Sequence, residues 1–253
     1  MQDQHLNSAL DILSKTTSDK LVERKDCYSE KTHKDQRHFK IFESERVTGE
    51  ISHPSLSGKN NVLIRGYKSE SSGSKISING NNNIVFLGPH SKLSNASIRI
   101  TAENSLFYFG AFSTVESITT ILSGSDGKII IGDFCMLSAR IVIDRSDHHS
   151  IYDISSGQKI NHDQDVIISN HVWISRDVKI SKGSTIGKDS VIGQSAVVSG
   201  NLLPSCSYAG VPATCRRENI TWSRMNSSSI GEMERSERHQ EFTRNVENIK
   251  FRM

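Results

Sequence analysis

A chain of 253 residues sets 31 Lys and Arg against 28 Asp and Glu, a formal net charge of +3. That balance lacks the dense basic stripe of a nucleic-acid binder, and no stretch reaches the roughly 20 apolar residues of a membrane span, so neither partner class is expected. Cys27, Cys135, Cys206 and Cys215 form no CxxC pair and no even ladder, which predicts reduced thiols with neither a zinc knuckle nor a disulfide framework.

In chain order, residues 1–49 form a densely charged N-terminal extension. Its apolar positions Leu6, Leu10, Leu13 and Leu21 predict short amphipathic helices. The start MQDQHLNSALDILSK has neither the basic beginning nor the apolar centre of a signal peptide, so a soluble, cytoplasmic protein is expected. Residues 50–205 are the informative part. From residue 206 a closing loop leads into a polar tail, GEMERSERHQEFTRNVENIKF, expected to be helical or frayed.

Within 50–205 the pattern to test first is an internal repeat. Ile168, Ile174, Ile180, Ile186, Ile192 and Val198 recur every six positions without a gap, each followed by a serine or glycine. A period of six matches neither the rows of an α-helix nor the alternation of one strand. It fits short strands joined by tight turns, one aliphatic inward per strand, with three hexads and 18 residues making one rung of a prism-shaped coil. Upstream the repeat is ragged: Ile131, Leu137 and Ile143 stand six apart, as do Leu87 and Leu93. The cluster Asn79, Asn81, Asn82 and Asn83 suits corners with left-handed backbone geometry.

The register breaks once, between Ile143 and Ile168. A loop over residues 144–165, opening with DRSDHHSIYD, interrupts an otherwise tight coil, and loops of that length are usually functional. It offers two adjacent histidines, His148 and His149, that residue type alone does not separate.

The six-residue ladder, the segment SDHHSIYD, the run DVIISNHVWISRDVKISKGSTIGKDSVIGQSAVVSG and the closing YAGVPAT together resemble the hexapeptide-repeat acyltransferases, over roughly residues 60–220. The resemblance implies an all-β left-handed parallel β-helix that works as a homotrimer, with the extensions at either end as short helical additions. The hand rests on the resemblance alone, since ordinary crossovers are right-handed. A histidine in an SDxHSI loop with a HVWI tryptophan 24 residues later is similar to bacterial capsule O-acetyltransferases, notably those that modify polysialic acid or sialic-acid-containing capsules.

That likeness implies acetyl-CoA as donor, a capsular polysaccharide as acceptor, His149 as general base and Trp173 beside the acetyl group. The chemistry is sound: a sugar hydroxyl attacks poorly at neutral pH unless a positioned imidazole takes its proton. Asp144 or Asp147 is expected to fix the imidazole tautomer. Ser150 and Ile151 flank the donor in this reading, and Val178 and Ala196, one 18-residue rung apart, supply backbone to the pantetheine arm. Arg176, Lys182 and Arg216, with Lys188 and Arg217 nearby, are candidate partners for the CoA phosphates. His148 and Tyr152 are candidate acceptor contacts. Thr214 stands where the family turn carries lysine, so no charge contact is expected there. Competing readings are transfer to a small acceptor (a nucleotide-sugar amine, a serine or an antibiotic), a zinc-binding solenoid, and a non-catalytic trimer. No metal is expected, because the coil lacks paired histidines at the spacing a zinc solenoid needs.

Overall fold

In the computed structural model, residues 29–31, 39–226 and 228–230 are described. The chain divides into two units, Met1–Ile220 and Thr221–Met253. The described residues of the second are irregular as far as Ser229, and Ile230 is helical. The rest of the helices expected in the two extensions falls outside the described residues.

The first unit is a parallel β-solenoid with three faces. Its first face has nine strands, from Ser29–Lys31 and Phe39–Glu43 through Val166–Ile168 and Thr185–Ile186 to Asn201–Leu202. The second has eight, including Glu70–Ser72, Met136–Leu137, Trp173–Ile174, Val191–Ile192, Ser207–Ala209 and Thr214–Arg217. The third has seven, among them Ile51–Ser57, Ala96–Glu103, Ile118–Ser125, Ile141–Asp144, Lys179–Ile180 and Val197–Val198. Among the described strands, two pairings are antiparallel, Ser29–Lys31 on Phe39–Glu43 and Thr214–Arg217 on Ser207–Ala209.

The aliphatics of the hexad repeat are the core. Ile168, Ile174, Ile186, Ile192 and Val198 have no exposed surface, and Ile180 almost none. Each lies over its counterpart in the next coil, as Ile168 over Ile186 and Ile174 over Ile192. A rung cannot cover its own inner side chains, so its stability depends on its neighbours, and each buried isoleucine contributes about 1.5–3 kcal/mol.

Upstream of the loop the coil is regular but larger than the hexads suggest. Val62 opposes Ile84, Ile84 opposes Leu106 and Leu106 opposes Lys128, so a rung takes 22 residues there and 18 after the loop, until the last, shorter rung that sets Ile186 against Leu202. The difference lies on the third face, where Ala96–Glu103 and Ile118–Ser125 have eight residues each and Lys179–Ile180 and Val197–Val198 have two. The first and second faces keep the six-residue step, which is why Leu87 with Leu93, and Ile131 with Leu137, fitted it. A side-chain ladder marks the longer rung: Asn60 donates to Asn82, Asn82 to Asn104 and Asn104 to Asp126, all from corners at positive φ. Of the four asparagines expected at corners only Asn82 has that backbone. Asn83 points inward and bonds Asn61 and the Ala102 carbonyl. The outer side of the first face is also apolar and buried in this region, through Val62, Ile64, Ile84, Phe86, Leu106 and Tyr108.

The change of rung length has to be closed, and Arg145 closes it. Ile118–Ser125 pairs with Ile141–Asp144 only as far as Ile121 opposite Asp144. Beyond that pair the next rung supplies no strand. The Arg145 guanidinium takes its place, donating to the carbonyls of Ser123 (2.6 Å) and Ser125 (3.4 Å) and to Asp165 (3.1 Å). It lies flat on Gly127, where a Cβ would stand 2.1 Å from the Arg145 Cζ, so any side chain at 127 would evict it. Arg145 and Asp165 are the two ends of the inserted loop, and their ion pair ties its base. Replacing Arg145 with Met leaves the Ser123 and Ser125 carbonyls without the guanidinium and Asp165 with only the Lys128 amide and solvent, and should cost about 1–3 kcal/mol. A lowered urea midpoint at unchanged m-value would show it; an unchanged midpoint would mean that water replaces the guanidinium without loss.

Candidate active site

The inserted loop leaves the third face after Asp144 and rejoins the first face at Val166, so it projects from the corner between them. At its head the His149 N–H donates to the Asp147 carbonyl (2.7 Å), and His148 between them has φ +62°. An i to i+2 bond around a residue at positive φ is a γ-turn, a strained form found mostly where the surrounding structure enforces it. His148 Nε2 meets Asp144 Oδ2 at 2.9 Å. Asp147 Oδ2 instead meets Lys182 Nζ (2.6 Å) and accepts from Asn161 Nδ2 (2.9 Å), and these partners, Lys182 first, hold its carboxyl below the usual range. Neither carboxylate meets the His149 ring, which either had been expected to orient: one is engaged by His148 and the other by Lys182 and Asn161.

The limb after His149 is exposed. Ser150 follows in the open, and Ile151, Tyr152, Ile154 and Ile160 present 53%, 60%, 101% and 61% of their surfaces, the largest apolar exposure on one loop among the described residues. The Asp153 carboxylate accepts from the Ser155 hydroxyl and from the Ser156 amide and hydroxyl, which depress its pKa to about 2 and shape the tip.

Trp173 stands elsewhere. It lies in the second face between Met136 and Val191, pointing outward while Ile174 beside it points in. Arg176 is exposed at the next corner. Val178 and Ala196 end that corner with their side chains fully buried, and their carbonyls accept from Val142 and Lys179 in the ladder. Arg216 is on the closing hairpin at the end of the second face, donating to the Ala209 carbonyl. In a three-sided coil the second face is opposite the corner between third and first, so the body of the coil stands between Trp173 and His149.

No protein-family model matches the chain. A polysialic acid O-acetyltransferase of Escherichia coli O1:K1 is 41% identical over 103 residues, which are 41% of this chain and 34% of that protein. One of Neisseria meningitidis is 53% identical over 47 residues, 19% of this chain and 22% of the relative. The aligned segments thus span about a third or less of those relatives. Coverage is far wider for the crystal structure of the polysialic acid O-acetyltransferase OatWY, at 30% identity and a TM-score of 0.59, matching 73% of this chain and 96% of that one.

The chain belongs to the hexapeptide-repeat acyltransferase family. Membership accounts for the parallel coil and its 18-residue rungs, and it makes the departures in this chain informative. The residues picked out from sequence fall into two groups. His148, His149, Ser150, Ile151, Tyr152 and Lys182 gather at the corner between third and first faces, while Trp173, Arg176, Val178, Ala196 and Arg216 belong to the second face and its border with the third. Lys182 sorts with the histidine loop, its ammonium held by Asp147 and the His162 carbonyl (3.0 Å) and its side chain only 16% exposed. His171 occupies a positive-φ corner and pairs with Asp189 at 2.7 Å. Among the described residues no three His, Cys, Asp or Glu side chains group as metal ligands.

Sequence reasoning missed Asn161 and Arg145. Asn161 donates to the His149 carbonyl (2.7 Å) as well as to Asp147, and its Oδ1 accepts from the Ile151 amide (2.7 Å). Neither residue lies in the repeat register. A polar residue at each end of the insert was the only signal available.

Proposed function

We propose that this acyltransferase moves the acetyl group of acetyl-CoA to a hydroxyl of a sialic-acid-containing bacterial capsular polysaccharide, acting in the cytoplasm as a homotrimer. The names of its relatives support the acceptor class. The observation that carries the trimer is the separation of His149 from Trp173. Two groups on opposite sides of one coil meet only if the loop corner of one subunit packs against the second face of the next, a heterologous contact that closes into a ring after three copies. Each site then takes its base from one subunit and its indole and cationic rim from the neighbour.

In that site His149 removes the proton of the attacking hydroxyl as the oxygen adds to the thioester carbon. The carbon–sulfur bond then breaks, and the imidazolium returns the proton to the departing CoA thiolate. No covalent enzyme intermediate is required. The oxyanion formed on addition calls for a backbone N–H donor, a stabilisation that counts most where water is excluded. Arg176 and Arg216 are the cations for the CoA phosphates, and stacked backbone at Val178 and Ala196 lies along the pantetheine arm. His148 and Tyr152 face the acceptor, with Ser150 and Ile151 nearer the acetyl group.

Labelled acetyl-CoA should be incubated with sialylated and neutral polysaccharides, free sialic acid and a nucleotide sugar, and the product located by NMR. The expected result is label on a hydroxyl of the sialylated polymer. Label confined to a small acceptor, or CoA release with no acetylated sugar, would overturn the acceptor assignment.

A further inference from the structure

We propose that Asn161, together with the Lys182–Asp147 pair, is the positioning unit that fixes His149 for proton transfer; this deepens the reading of His149 as the base and rests on it. His149 is in an exposed loop, yet its backbone is held from both sides. Upstream, its amide closes the γ-turn on the Asp147 carbonyl. Downstream, Asn161 reaches across from the returning limb, donating to the Asp147 carboxylate and to the carbonyl of His149 itself, and accepting from the Ile151 amide. One carboxamide therefore clips residues 147, 149 and 151, using both of its N–H groups and its oxygen.

The clip is anchored to the rigid coil by Lys182. This lysine sits in the turn of the following rung, next to Gly183 at φ +71°. Its ammonium bonds Asp147 Oδ2 at 2.6 Å and the His162 carbonyl at 3.0 Å, so it grips the outgoing and returning limbs together. The Gly183 amide adds a long bond to the Gln164 carbonyl (3.4 Å). Asp147 is 41% exposed, so solvent screens the pair and it adds little to stability. Folding is therefore a poor explanation for so many groups converging on one loop. Orientation is a better one, because misplacing a reacting group by about 1 Å costs roughly 10²-fold in rate.

The same geometry separates two roles for Lys182. A cation for CoA phosphate lowers the KM for acetyl-CoA, whereas an anchor for the base raises kcat. Asn161→Ala and Lys182→Met should each lower kcat about tenfold or more with the acetyl-CoA KM within about twofold of wild type. Lys182→Met with Asp147→Asn should be little worse than either alone, since all three variants break one linkage. Amide hydrogen exchange at His149 and Ile151 should quicken by about tenfold or more in Asn161→Ala. Unchanged kcat and exchange in Asn161→Ala, additive effects in the double variant, or a raised acetyl-CoA KM at normal kcat in Lys182→Met would each overturn the proposal. If the wild-type protein transfers no acetyl group, the reading of His149 as base falls, and hydrogen exchange still decides whether the clip exists.

Discussion

His149→Ala is expected to lower acetyl transfer about 10²–10⁴-fold, the usual contribution of a positioned general base, while the far-UV spectrum and the mass of the proposed assembly should stay as in wild type. The imidazole is in an exposed loop and takes no part in the ladders that hold the coil, so its loss touches chemistry and spares the fold. His148→Ala is the control. That ring is paired with Asp144 at 2.9 Å and its residue is the centre of the γ-turn, so its removal should raise the acceptor KM and lower kcat far less than His149→Ala does. Steady-state kinetics on both variants decide between them, and a larger loss in His148→Ala than in His149→Ala would move the base to His148.

A mixture of two dead proteins should recover activity. Trp173→Ala is expected to lose most of its turnover alone, as is His149→Ala. If each site combines the loop of one subunit with the second face of the next, unfolding and refolding the two variants together creates sites in which His149 from one chain faces Trp173 from another. With random assembly into closed trimers about one quarter of all sites carry both groups, so about a quarter of wild-type activity should return. Separately refolded variants mixed afterwards give the baseline. Recovery no greater than that baseline would place both groups in one subunit's site, or return the indole to a packing role, and the arrangement proposed above would fall.

The 18-residue coil was legible because its inward aliphatics lie at a fixed spacing and nothing else intervenes. The 22-residue coil was not, although it is equally regular. Its four additional residues lie on the third face in strict in–out alternation, as in Ala96–Glu103, so they look like ordinary strand and only blur a search at period six. The repeat at 22 that would have exposed them is carried by Asn60, Asn82, Asn104 and Asp126 at corners rather than by aliphatics in the core. For the site, resemblance selected His149 over His148. Nothing in the order of residues showed that His149 and Trp173 face opposite ways, because that depends on which corner carries the insert. The surroundings of Lys182 were hidden for a similar reason: a lysine in a solenoid turn looks like an exposed cation until the loop that bends back over it is seen.

The step from 22 to 18 residues at Arg145 also divides the molecule into two interchangeable lengths. Rungs upstream repeat one pattern and touch only their immediate neighbours, so whole 22-residue turns are units that can be added or lost without altering any residue at the histidine loop. Downstream, the turns carry Lys182, which holds the loop, and Trp173 and Arg176 on or beside the second face. Arg145 is thus a seam: reach along the solenoid axis can lengthen or shorten on one side of it, at about 4.8 Å per turn, while the geometry of the chemistry on the other side is left untouched.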